Sequence, residues 1–132
     1  MSDVSAAPAA TRSLTWATFA HVASESAKEY REPSVIKGII NLGPEYSLGN
    51  DDELDSLGIV EIIMNLEERL EVRLGKPFKL PDQLEDKAAN LGEAYLLICK
   101  ENGVEFDPDF SKTPDLSSFS DWLGEQAKKK AN

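Results

Sequence analysis

Residues 55–74 read DSLGIVEIIMNLEERLEVRL, and their spacing decides the fold class. At about 100° per residue, Ile59, Ile62, Ile63, Leu66 and Leu70 follow the i, i+3, i+4, i+7, i+11 series of a core-facing stripe. Leu57, Val60, Glu61, Met64 and Glu68 follow the same series on the opposite side. The spacing predicts a helix from Ser56 to about Val72. An outer face that interleaves Leu57, Val60 and Met64 with carboxylates reads either as a docking surface or as a face covered by other parts of the chain.

Working outward, Trp16, Phe19, Ala20, Ala23, Ala27 and Tyr30 recur at helical spacing and predict a first helix from near Ser13, stopped before Pro33. A long connection follows, from about Arg31 to Leu54, rich in Gly and Pro. Its segment Ile36 to Leu42 is apolar enough to dock on the core. Downstream, Gly75-Lys76-Pro77 breaks the pattern. A short helix is predicted near Pro81 to Lys87. A longer one, about Ala89 to Asn102, turns Leu91, Ala94, Tyr95, Ile98 and Cys99 inward and ends at Gly103. A last helix, about Ser118 to Lys130, is predicted to start on a Ser cap and end in three lysines that suit the helix dipole. No strand alternation and no repeat is visible. The expected fold is all-α: a tail over 1–12, a small helical bundle over 13–103 with a long first loop, and an extension over 104–132 with its own helix.

Composition narrows the function. The chain of 132 residues has a net charge of −10, which repels nucleic acid and attracts basic patches on proteins. Between Asp51 and Glu71 eight carboxylates face Arg69 alone, so this segment holds seven of the ten excess negative charges. No apolar run approaches the roughly 20 residues that span a bilayer, so no stable membrane insertion is expected. The Ala-rich stretch Ala6 to Ala10 has no apolar segment before it and does not read as a signal peptide. The single Cys99 forms no internal disulfide, which fits a cytoplasmic location. Cys99 and the single His21 lie far apart in sequence and suggest no nucleophile–base pair, so no enzymatic activity is expected. Reading Asp51, Glu53 and Asp55 as the start of a calcium loop fails, because Ser56 then falls where the loop needs Gly and Ile62 where it needs Glu; no metal site is expected.

The stretch from Asp55 to Leu74 resembles the acyl carrier protein family. The resemblance lies in Asp55-Ser56-Leu57, then Val60-Glu61-Ile62, Met64 and Leu66-Glu67-Glu68 in register. Leu80-Pro81-Asp82 and Asn90-Leu91-Gly92-Glu93-Ala94 resemble the entries to the family's third and fourth helices, so the likeness covers roughly Asp51 to Glu101. It implies a four-helix carrier bundle in which a phosphopantetheinyl transferase, using coenzyme A, attaches 4′-phosphopantetheine to Ser56. A Ser at such a helix start is otherwise a plain N-cap; the free N–H groups there also suit an anionic phosphodiester. The resemblance further implies that Asp55, Leu57, Glu61, Met64, Glu67 and Glu68 meet basic patches on partner enzymes. Ile63, Leu66 and Leu70 would line a cavity for the acyl chain.

Such a protein would be a monomer that carries a thioester for lipid or fatty-acid biosynthesis without catalysing a reaction. Gly58 departs from the acidic residue usual in the family, Glu53 from a common Gly, and Gly75 to Lys79 is an insert. The extra length points to a specialised lipid or secondary-metabolite pathway. Phe106, Phe110, Phe119 and Trp122 are expected to pack back onto the bundle or to dock a dedicated enzyme. An aminoacyl or peptidyl carrier and an unmodified helical interaction module are the alternatives.

Overall fold

A computed structural model describes residues 13–75, 88–106 and 115–131. The predicted tail over 1–12, the predicted helix over 81–87, most of the insert and Phe110 lie outside them. Among the described residues there are five helices: α1 (Trp16–Glu29), α2 (Pro33–Leu42), α3 (Ser56–Leu74), α4 (Leu91–Glu101) and α5 (Ser117–Ala131). Two 3-10 turns, Gly43–Glu45 and Leu48–Asn50, lie between α2 and α3. The class is all-α, as expected. One small element was not anticipated. Ser13–Leu14 (β1) and Glu105–Phe106 (β2) form a two-residue parallel pair, too short to show alternation.

α1 starts at Trp16, later than predicted, because the Thr15 side chain accepts the Thr18 N–H at 3.1 Å and caps it there. Trp16, Phe19, Ala20, Ala23 and Ala27 are buried as the spacing requires. Tyr30 is not: it is the C-cap, and its ring is exposed. The helix closes with a bond from the Glu32 N–H to the Ala27 carbonyl at 2.9 Å, which puts Arg31 in the left-handed region at φ 56°.

The expected long loop is largely structured. Pro33 stops α1 but also occupies the first turn of α2, where its fixed φ suits a helix start and its missing N–H costs nothing. Val35, Ile36 and Ile39 then bury one face. Gly38 lets the Tyr46 ring lie on the helix, since a Cβ there would sit 2.2 Å from the ring.

α3 runs two residues beyond the prediction and stops at Gly75, whose φ of 70° is left-handed. Its buried arc is Gly58, Ile62, Asn65, Leu66, Leu70 and Leu74. Ile59 and Ile63, expected in the core stripe, are only half-buried. The arc is turned toward α1, which packs against both α2 and α3. There Arg69 donates to Asn65 Oδ1 at 2.6 Å and pairs with Glu29 and Glu25 of α1, a partly exposed polar flank beside the packed arc.

α4 is capped by Asn90, which accepts the Glu93 N–H at 2.9 Å, while Glu93 accepts the Ala89 N–H at 3.1 Å. Leu91, Ala94, Tyr95, Ile98 and Cys99 are buried, as predicted. Tyr95 stacks edge-on against Trp16 and donates its hydroxyl to the Leu14 carbonyl. α5 begins one residue early, and its cap is not Ser118. Asp115 accepts both the N–H and the hydroxyl of Ser117, at 3.2 and 2.8 Å. Phe119 is buried and meets His21 edge-on, and Trp122 packs partly against the core. Phe106 does not pack back onto the bundle: it lies on the β pair, half exposed.

Candidate functional site

The approach to α3 is built on Asp51. One of its carboxylate oxygens accepts the Glu53 N–H at 3.0 Å, and the other accepts the Tyr46 hydroxyl at 2.6 Å. Leu54 then buries its side chain, its N–H bonded to the Asp51 carbonyl at 3.1 Å. Tyr46 also ties this approach to α4, since its carbonyl accepts the Leu91 N–H at 2.7 Å. Burial, then the bond to Asp51 and the nearby charges of Asp51 and Glu32, hold the Tyr46 hydroxyl protonated well above its usual range.

Asp55 is the N-cap of α3. Its carboxylate accepts the Gly58 N–H at 2.7 Å. Ser56 is therefore the first helical residue rather than the cap. Its side chain is exposed, and its hydroxyl has no hydrogen bond among the described residues. The plain capping role open to Ser56 in the sequence belongs to its neighbour.

The outer face of α3 is uncovered: Leu57, Val60 and Met64 are 66%, 49% and 61% exposed. Between them stand Glu61, half-buried, and Glu68, exposed, with Glu67 half-buried at the edge. Gly58 begins the buried arc on the other side of the helix, where it leaves room for a side chain from elsewhere. Glu32, from the junction of α1 and α2, fills that place; its Oε2 lies 2.8 Å from where a Gly58 Cβ would be. Burial first, and then the charges of Asp55, Asp51 and Glu61, push the Glu32 carboxyl above the usual carboxylate range. Neither Tyr46 nor Glu32 was singled out from the sequence. The Gly at position 58, where a side chain was expected, was the one available sign.

Of the three residues assigned to a cavity, two come together. Ile63 and Leu66 line an apolar gap with Phe19, Leu48, Leu91 and Ala94, of about 30 Å³. That is room for about one water. Leu70 is fully buried in the core and is not part of its wall. A wider polar groove of about 540 Å³ lies between α1, Arg69 and the start of α5; Arg69 there is engaged by Glu25 and Glu29.

Burial pushes the Cys99 thiol up to about 12, so it is a packing residue rather than a nucleophile. Among the described residues no three His, Cys, Asp or Glu side chains are placed to hold a metal, and no helix is long and apolar enough to cross a membrane. Comparison with known protein families, curated proteins and solved structures returns no match for the chain.

Proposed function

We propose that the chain is an acyl carrier protein that holds its cargo as a thioester on a phosphopantetheine arm at Ser56. The observation that carries this reading is the division of labour at the start of α3. Asp55 takes the cap, which leaves the Ser56 side chain exposed and, among the described residues, its hydroxyl without a hydrogen bond to lose on modification. A phosphodiester on Ser56 would sit beside the free N–H groups of the first helical turn, which favour an anion. The same site has a cost: Asp55 and Glu32 are close by and oppose that charge.

The arm's terminal thiol, when present, forms and exchanges the thioester. The protein's own part is to present it. In the loading step the Ser56 oxygen would form a bond to the pantetheine-bearing phosphorus of the coenzyme A diphosphate, the P–O–P linkage would break to release adenosine 3′,5′-bisphosphate, and the hydroxyl proton would pass to the transferase. Leu57, Val60 and Met64, ringed by Asp55, Glu61, Glu67 and Glu68, offer partner enzymes an apolar centre with an acidic rim. Ile63 lies seven residues along α3 from Ser56, about 10 Å by helix rise, so the gap it lines is within one helix of the attachment point. At about 30 Å³ that gap receives an acyl chain only if Ile63 and Leu66 part from Leu48 and Leu91.

In this reading α1, α3 and α4 correspond to three of the four carrier helices, and α5 is an addition fitted to a specialised pathway. The test is intact mass after incubation with coenzyme A and a broad-specificity phosphopantetheinyl transferase. One arm is expected on the wild-type chain and none on Ser56→Ala. No mass gain with several transferases would overturn the carrier reading in favour of an unmodified helical interaction module.

A further inference from the structure

The apolar gap beside α3 is walled by α1, by α3 and by the approach and start of α4, and on another side by Ser47, Leu48 and Gly49. That last wall is lightly held. Its 3-10 turn is closed by two long bonds, from the Asn50 N–H to the Ser47 carbonyl and from the Asp51 N–H to the Leu48 carbonyl, both at 3.3 Å. Leu48 is only half-buried, and Gly49 is exposed, with nothing closer than 4.0 Å to where its Cβ would stand. The ends of the strap, by contrast, are fixed. Tyr46 bonds through its carbonyl to the Leu91 N–H at 2.7 Å and lays its ring on Gly38. Beyond the strap, Leu54 is buried with its N–H on the Asp51 carbonyl. One side-chain bond ties these ends together: the Tyr46 hydroxyl donates to Asp51 Oδ2 at 2.6 Å. A bond to a carboxylate is among the stronger hydrogen bonds, and this one sets the span that the strap must cross.

We propose that Ser47–Gly49 is a gate over the gap, latched by the bond between Tyr46 and Asp51, and that its opening admits the alkyl chain of the thioester carried at Ser56. The cargo named rests on the carrier reading of Ser56; the gate does not. At about 30 Å³ the closed gap holds about one water, so an alkyl chain requires a wall to move. Shifting a helical wall would pull Phe19, Leu66 or Leu91 out of the core in which all three are buried. Swinging Leu48 outward gives up only the two long turn bonds and the latch. The Tyr46 carbonyl keeps its bond to α4 throughout and serves as the hinge. The open gap is then a minor conformation that an apolar chain makes dominant.

The experiment uses the full, unmodified chain with 1-octanol as the probe, so its outcome does not depend on the arm. Binding is followed by the methyl NMR signals of Leu48, Ile63 and Leu91, with amide hydrogen exchange measured at Asn50 and Asp51. Tyr46→Phe removes the latch while leaving the ring and the carbonyl in place. It is expected to tighten octanol binding about tenfold, because a bond to a charged group no longer has to break on opening. Exchange at Asn50 and Asp51 should quicken by a similar factor. Gly38→Ala, whose Cβ would meet the ring at 2.2 Å, displaces Tyr46 from the other side and should act in the same direction. Tyr30→Phe, which removes a hydroxyl from an exposed ring, is the control and should change neither readout. A purely structural role for Tyr46 would quicken exchange throughout the helices and leave octanol bound no better, which overturns the gate. So does a gain in affinity without faster exchange at Asn50 and Asp51, or no octanol binding by either chain. A wild-type chain that gains no arm overturns the carrier reading and the cargo named here, and leaves the gate standing.

Discussion

Tyr46 joins three parts of the chain: its ring lies on Gly38 of α2, its hydroxyl on Asp51 ahead of α3, and its carbonyl on the N–H that opens α4. Cys99 is the opposite kind of residue, a free thiol fully buried in the core. Its thiol is raised from an ordinary 9.0 to about 12, so between those values the unfolded chain releases a proton that the folded chain keeps. The thiol's contribution to stability is therefore complete below about pH 9 and is lost as pH rises toward 12. Denaturant midpoints measured from pH 8 upward should fall more steeply for wild type than for Cys99→Ala. Parallel curves would remove the thiol as the cause. A thiol reagent at pH 8 should label Cys99 only after unfolding.

The ends of α1, α3 and α4 obey local rules with one exception. Thr15, Asp55 and Asn90 cap α1, α3 and α4 through their own side chains, and Gly75 closes α3 in the left-handed region. Arg31 takes the same left-handed place after α1 without glycine's freedom. Arg31→Gly is expected to raise stability by up to about 1 kcal/mol, the strain relieved less the extra freedom of the unfolded chain, read as a higher denaturant midpoint with an unchanged slope.

Periodicity made α1, α3 and α4 legible to within a few residues, because each has a buried stripe and a recognisable stop. α2 was not, since the Gly and Pro residues around its short apolar run also write a turn, and Pro33 can end one helix or begin the next. At the site, the exposed row on α3 was readable and Ser56 was in view. The cap on Asp55 and the reach of Glu32 were not, because both depend on side-chain direction and on a contact between positions 32 and 58.

Across the whole molecule, α5 is held through Leu116 and Phe119, with Trp122 and Leu123 partly covered, while most of its later turns are exposed. Phe119→Ala should therefore cost about 3–5 kcal/mol, as for other buried aromatics cut to alanine, read from denaturant unfolding. Arm transfer to Ser56 under native conditions should be unchanged. A lost transfer rate in a variant that remains folded would instead assign α5 a part in docking. The other whole-molecule property is the placing of charge. With seven of its ten excess negative charges between Asp51 and Glu71, the chain is strongly polarised, and its field extends about a Debye length, some 8 Å in physiological salt. Oppositely charged proteins would be drawn and turned toward this helix before they touch it, quickly in dilute buffer and slowly in concentrated salt. Two copies of the chain meeting through the same face would be pushed apart.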